Sequence, residues 1–258
     1  MSVNHSEISS FIWNVCDDVL RGLFKPHEYG DIILPFTVLR RLDCVLEEHK
    51  DTVINLHNEF KSKVEDPTPI ILNKVNTSFF NHSQFDLNRL KQDPSNIQMN
   101  LQNYLGGFSN NVLEVVENFQ LEKPIEKLNK NNRLYQFIEK FSEIDLHPDV
   151  VSNHQMGQVF EELLRKFSEM SNETSGEHYT PRDVVRLLVS LVFSKDKDEL
   201  QGEGKVRSIF DPCCGTGGML TIGKDWVQNN INDKVEFRLL GQELNPQTFS
   251  ICKSDMMI

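Results

Sequence analysis

A short run rich in β-branched and aromatic residues, Val206 to Phe210, leads straight into Asp211-Pro-Cys-Cys-Gly-Thr-Gly-Gly-Met-Leu220. Glycines at Gly215 and Gly217 let the chain turn tightly and bring bare backbone close to a ligand. The pattern then turns helical to about Asn230 and becomes β-like again from Val235 to Leu240. It ends in Gly241-Gln-Glu-Leu-Asn-Pro246, where Asn245-Pro246 reads as another helix start. Strand, glycine loop, helix, strand and a terminal acid make a βαβ unit. Such a unit holds its strands parallel and binds nucleosides at their carboxyl ends.

Three nucleoside ligands compete for this loop. A dinucleotide fingerprint, G-x-G-x-x-G, fits at Gly215 and Gly217, but Leu220 stands where the third glycine belongs. A phosphate loop, G-x-x-x-x-G-K-[ST], fits from Gly218 to Lys224 and fails at Asp225, where a magnesium-binding hydroxyl is needed. The third ligand is S-adenosyl-L-methionine. Asp211 would face its ammonium, the Gly215-Thr216-Gly217 backbone would pass beneath its methionine and ribose, and Glu243 would accept both ribose hydroxyls. Glu243 follows the last glycine by about 25 residues, near the spacing of a ribose acid. A ligand without pyrophosphate needs neither a third glycine nor a basic phosphate clamp. Spacing alone leaves all three open, beside a purely structural glycine turn.

The rest of the chain narrows the classes. The 258 residues carry a net charge of −11, and both halves are acidic, so neither is a free-standing nucleic-acid grip. Five cysteines include no C-x-x-C pair and no His/Cys array of zinc spacing, which argues for a reducing compartment and no metal site. Cys213 and Cys214 read as small buried turn residues. No apolar run reaches the ~18 residues of a membrane span, and the polar N-terminus lacks a signal-peptide core. These features predict a cytoplasmic protein with no membrane partner. No alanine occurs anywhere, although it is normally among the commonest residues and is the best helix former.

Residues 1–150 read as a helical domain. Ser6 is placed to cap a helix carrying Ile8, Phe11, Ile12, Val15 and Val19 on one face, and a second helix runs from about Asp31 to Lys50. Breaks at Glu65–Pro69 and Asp93–Ser95 precede amphipathic stretches at Asn111–Phe119 and Leu134–Phe141. Nothing there proposes chemistry. From residue 151 to 258 the pattern changes: Ser152-Asn-His-Gln155 is a capping box, followed by Met156, Val159, Phe160, Leu163, Leu164 and Phe167 at helical spacing. Thr180-Pro181, with Asp183 behind it, predicts a hydroxyl-capped helix start. Val184, Val185, Leu187, Leu188, Leu191 and Val192 then predict a well-buried helix.

Gly176-Glu-His-Tyr-Thr-Pro-Arg-Asp-Val-Val185, Asp211-Pro-Cys-Cys-Gly-Thr-Gly-Gly218 and Gly241-Gln-Glu-Leu-Asn-Pro246, in that order, resemble the methylation subunit of type I restriction–modification systems. Ser152-Asn-His-Gln-Met-Gly157 and Phe160-Glu-Glu-Leu163 extend the resemblance over nearly the whole chain. It implies an α-helical N-terminal domain followed by the start of an α/β, Rossmann-like, S-adenosylmethionine-dependent methyltransferase domain acting on adenine N6 in DNA. It makes Glu177, His178, Tyr179, Thr180, Pro181 and Arg182 the segment closing over the cofactor, Gly215, Thr216 and Gly217 the glycine loop, and Glu243 the ribose acid. The implied partners are a DNA specificity subunit, a restriction subunit, a second methylation subunit, and double-stranded DNA held through the complex.

Two departures are visible: the family often has alanine or proline where Cys213 stands and an aromatic at His178. The family's catalytic Asn-Pro-Pro-aromatic tetrad falls after a fourth strand. Here Asn245-Pro246 is followed by Gln247 and is a helix start only. No catalytic residue is therefore assigned, and the chain is expected to resemble an N-terminal piece that does not methylate by itself.

Overall fold

The computed structural model describes residues 5–171 and 180–258. Helices come first in the chain: α1 (His5–Val15), α2 (Gly30–Leu46), α3 (Lys50–Phe60), α4 (Thr68–Val75), α5 (Leu87–Leu90), α6 (Ile97–Gly106), α7 (Asn110–Asn118), α8 (Glu122–Lys130), α9 (Leu134–Glu143) and α10 (Asn153–Ser171). Then follow α11 (Arg182–Ser194), β1 (Val206–Asp211), α12 (Gly218–Asn230), β2 (Glu236–Gly241) and α13 (Pro246–Met257).

The centre of the helical part is α2, buried almost all round from Gly30 to Leu46, its charged Arg40, Arg41 and Asp43 included. Its core takes in Phe36, Leu39 and Leu42 with Phe137 and Phe141 of α9, and the Phe36 and Phe137 rings meet edge to face at 4.8 Å. The predicted α2 is shorter than expected, because a 3-10 turn at Glu47–His49 separates it from α3. α1 begins at His5, so Ser6 lies inside the helix and is not its cap. The helix also changes to a π turn at Cys16–Leu20 before ending.

α10 belongs to this same core. The Ser152 box forms as expected: Ser152 N–H donates to Gln155 Oε1 at 2.9 Å, and Gln155 N–H to Ser152 Oγ at 3.3 Å. Met156, Val159, Phe160 and Leu163 are buried with α1 and α2 residues. Arg41 of α2, wholly enclosed, donates through Nη1 to the carbonyls of Leu146 (2.5 Å) and Val151 (2.7 Å), and through Nη2 to Asn153 Oδ1. These bonds satisfy most of a buried guanidinium and fix where α10 starts.

β1 and β2 pair in parallel from Val206↔Glu236 to Asp211↔Gly241, with α12 as the crossover. α11 and α12 pack on one face of this pair, around Val189, Phe193, Ile222 and Val227, with Ile209 and Phe237 reaching them from the strands. α13 returns to the helical part: Ile251 joins its core, Ser78 Oγ donates to the Met257 carbonyl at 2.5 Å, and Lys253 pairs with Glu114.

The prediction of a well-buried α11 is corrected. Val185, Val189 and Phe193 are buried, but Leu187, Leu191 and Val192 remain 58%, 60% and 65% exposed, with Val184 and Leu188 also uncovered. Among the described residues α12 and one sheet face cover a single stripe of α11, and α10 meets it at Arg182. The capping prediction is corrected too. Pro181, at ψ 133°, is the cap itself, and Val185 N–H makes the first helical bond to the Pro181 carbonyl at 3.0 Å. Thr180 therefore sits one residue too early to reach the free amides of the first turn.

Candidate cofactor cavity at the carboxyl ends of the strands

The site is built where β1 and β2 stop. Asp211, last of β1, accepts the Cys213 N–H at Oδ1 (3.0 Å) and starts the turn. Gly215 and Gly217 take φ of 55° and 87°, left-handed values that a side chain disfavours. At Gly217 space forbids one as well: a Cβ would stand 2.8 Å from Cys252 Sγ and 2.9 Å from Met256 Cε. The loop is fastened to the turn after β2. Cys214 N–H donates to the Gln242 carbonyl at 2.9 Å and Gln242 N–H to the Asp211 carbonyl at 3.0 Å. Gly215 N–H donates to Glu243 Oε2 at 2.9 Å.

Glu243 uses its other oxygen for the Asn245 N–H, at 2.8 Å. Asn245 in turn caps α13, its Oδ1 accepting from the Gln247 and Thr248 amides at 3.0 Å each. Each Glu243 oxygen thus has one protein donor and keeps further acceptor capacity.

Between these turns and the start of α11 lies a cavity of about 600 Å³, within the range of small-molecule sites. Asp211, Gly215, Thr216, Glu243 and Thr180 line it, so the structure brings together five of the residues expected from the sequence. Buried Gly217 lies beneath, at the start of α12. Pro181 is exposed at the rim. Arg182 turns into a neighbouring groove of about 330 Å³. Its Nε donates to Glu161 Oε2 at 2.8 Å, and its Nη1 lies 3.1 Å from His154 Nδ1. Glu177, His178 and Tyr179 lie outside the described residues.

Sequence reasoning missed Glu161, Met219, Leu244 and Thr248, which also line the cavity. Glu161 stands in the Phe160-Glu-Glu-Leu163 motif but had no role to suggest it. Of the adjacent cysteines, Cys214 is buried as expected, and burial raises its thiol pKa. Cys213 is exposed instead, because it stands at the open lining of the cavity. Burial pushes the neighbouring Cys252 thiol up to about 12. Among the described residues no group of three His, Cys, Asp or Glu side chains could hold a metal.

The cavity's charge is one-sided. Its walls hold three carboxylates, Glu161, Asp211 and Glu243, and no Lys, Arg or His among the described residues.

Comparison with known proteins agrees with this layout. Residues 8–141 match the family model of the HsdM N-terminal domain, and residues 151–258 match that of the N-6 DNA Methylase. The chain belongs to the family of type I restriction enzyme methylase subunits. The MjaIX methylase subunit of Methanocaldococcus jannaschii is 24% identical over 98% of this chain and 45% of its own length. The EcoEI methylase subunit of Escherichia coli is 32% identical over 48% of this chain and 24% of its own length. The fold is shared with a type I restriction–modification methyltransferase subunit from Streptococcus thermophilus, at a TM-score of 0.65 and 18% identity, covering 98% of this chain and 56% of that one. This methylase-family chain therefore spans about half the length of relatives it matches end to end. Every residue lining the cavity lies in the stretch matched by the N-6 DNA Methylase model.

Proposed function

We propose that the cavity binds S-adenosyl-L-methionine and that the whole protein transfers its methyl group to adenine N6 in a specific DNA sequence. The carrying observation is that Asp211 and Glu243 face the cavity with no Lys, Arg or His on its described walls, while the third lining carboxylate, Glu161, is paired with Arg182 just outside them. A dinucleotide or a nucleoside triphosphate would bring two or more negative phosphates among them, where like charges repel. S-adenosylmethionine brings a sulfonium and an ammonium, two cations that such walls favour. The missing third glycine at Leu220 fits a ligand without pyrophosphate.

In this reading Asp211 holds the ammonium, and the Gly215–Gly217 backbone supports the methionine and ribose. Glu243 accepts the ribose hydroxyls with the acceptor capacity its two backbone bonds leave. Thr180 forms part of the opposite wall, Glu177 to Pro181 close over the ligand, and Arg182 anchors that segment from the neighbouring groove. When bound, S-adenosylmethionine supplies a methyl group already activated on sulfur. The protein's contribution is then mainly to position it against a base taken out of the duplex.

We place the division between a helical domain (1–150) and the beginning of the methylase domain (151–258) near the capping box. DNA is met through an assembly with a specificity subunit, a restriction subunit and a second methylation subunit, in the cytoplasm. An acidic chain of net charge −11 gains phosphate affinity from such partners rather than supplying it. No described helix is long and apolar enough to cross a membrane. The 258-residue chain contains no Asn-Pro-Pro-aromatic sequence, and we propose that by itself it transfers no methyl group. Calorimetric titration of S-adenosylmethionine, with Glu243→Ala beside the wild type, tests the site: saturable binding lost in the variant supports it. Equal binding by both removes the ribose role of Glu243. Labelled methyl transfer to DNA by this chain alone would overturn the last proposal.

A further inference from the structure

We infer that Glu161, on a helix rooted in the helical core, is a positioning residue of the cofactor cavity, setting the distance between its two walls through Arg182; this rests on the S-adenosylmethionine reading. α10 buries Phe160, Leu163 and Leu164 in that core, so the Glu161 carboxylate is presented from a fixed support. Its Oε2 accepts from Arg182 Nε at 2.8 Å, and the two side chains are only 13% and 14% exposed. That degree of burial separates the pair from ordinary surface ion pairs. The guanidinium rests against α10. Nη1 is 3.1 Å from His154 Nδ1, and a Cβ added at Gly157 would stand 3.0 Å from Nη2.

Arg182 is the first residue of α11, two after Thr180 and three before Val185, both in the cavity wall. The same carboxylate reaches the opposite wall: Glu161 Oε1 lies 3.5 Å from where a Cβ of Gly218 would be, at the start of α12. Helix N-termini favour a negative group there. One side chain thus joins the helical core, the closing segment and the glycine-loop helix. It is also the acid shared by the cavity and the adjoining groove.

The test is a double-mutant cycle on S-adenosylmethionine binding with Glu161→Gln, Arg182→Gln and both together, read by calorimetry well below the melting temperature. Hydrogen exchange is followed in parallel at the Val185 amide, donor of the first α11 bond. Expected is a loss of affinity on the order of tenfold in each single variant, with the double no worse than either, and faster exchange at Val185 in all three. Additive losses, or lower melting temperatures with unchanged affinity and exchange, would overturn the inference. If the wild type binds no S-adenosylmethionine, the cofactor reading falls. Exchange at Val185 then still decides whether Glu161 fixes the α11 start, and unchanged exchange removes the positioning role as well.

Discussion

The backbone N–H of Gly215 donates to the carboxylate of Glu243 across 2.9 Å, so the acid at the end of one strand holds the loop at the end of the other. Glu243→Ala removes the acceptor of both the Gly215 and the Asn245 amides. A hydrogen bond to a charged group contributes about 1.5–3 kcal/mol, so S-adenosylmethionine affinity should fall roughly 10- to 100-fold. Titration of Glu243→Ala and Glu243→Gln measures it. Gln, which keeps one carbonyl acceptor, should lose less.

The two glycines of the loop should differ under substitution. Gly217→Ala meets Cys252 Sγ at 2.8 Å in addition to its left-handed backbone, whereas Gly215→Ala meets nothing within 4 Å. Gly215→Ala should therefore cost only the backbone term, about 1–2 kcal/mol. Gly217→Ala adds overpacking of about 1–3 kcal/mol. Urea unfolding midpoints of the two variants test the order, and equal costs would show that α13 yields freely.

Asp255, half-buried in α13 with Arg41 and Arg182 near it, has its carboxyl pKa pushed up to about 6, chiefly by loss of water. Between its ordinary value and about 6 the folded chain keeps a proton that the unfolded chain releases. This group's share of stability is therefore full at acid pH and is lost as pH rises through that window. Asp255→Asn should gain on the wild type by up to about 3 kcal/mol between pH 4 and 7. Denaturation midpoints taken at four or five pH values would show it, and parallel profiles would contradict it.

The uncovered face of α11 should respond to charge without unfolding. Leu187 and Leu191 are 58% and 60% exposed, so Leu187→Lys and Leu191→Glu should each alter stability by no more than about 0.5 kcal/mol. Both should reduce self-association, since large exposed apolar patches drive it. Light scattering against concentration measures the second effect, and thermal melts the first.

The features legible in the sequence are those whose partners lie within a few residues. Asn245 capping α13, the Ser152–Gln155 box and the turn at Gly215–Gly217 each depend on local backbone, and each forms. α11 misled because its apolar residues cover most of the helix surface, leaving polar, beyond Asp183 in the first turn, only the stripe of Arg182, Arg186, Ser190 and Ser194. Whether such a helix is covered depends on what packs against it, which no periodicity contains. α3, α4, α6 and α8 went unseen: α8 buries only Ile125 and Leu128, whereas α6 buries Ile97, Leu101 and Tyr104 against partners distant in the chain. Arg41, enclosed beneath Leu146 and Val151, and Glu161, paired 21 residues away with Arg182, owe their places to tertiary contact. A charged residue in an amphipathic pattern reads as solvent-facing.

α10 begins the stretch matched by the methylase model, yet its apolar side is interleaved with α1 and α2 of the stretch matched by the other. The two stretches are therefore not free to diverge separately. A change of side-chain volume at Leu163 or Phe160 calls for a compensating change in the helices that surround it. Among relatives, these positions should co-vary across the boundary. A chimaera joining one relative's helices to another's glycine loop would have to carry α10 with the helices it grew up beside.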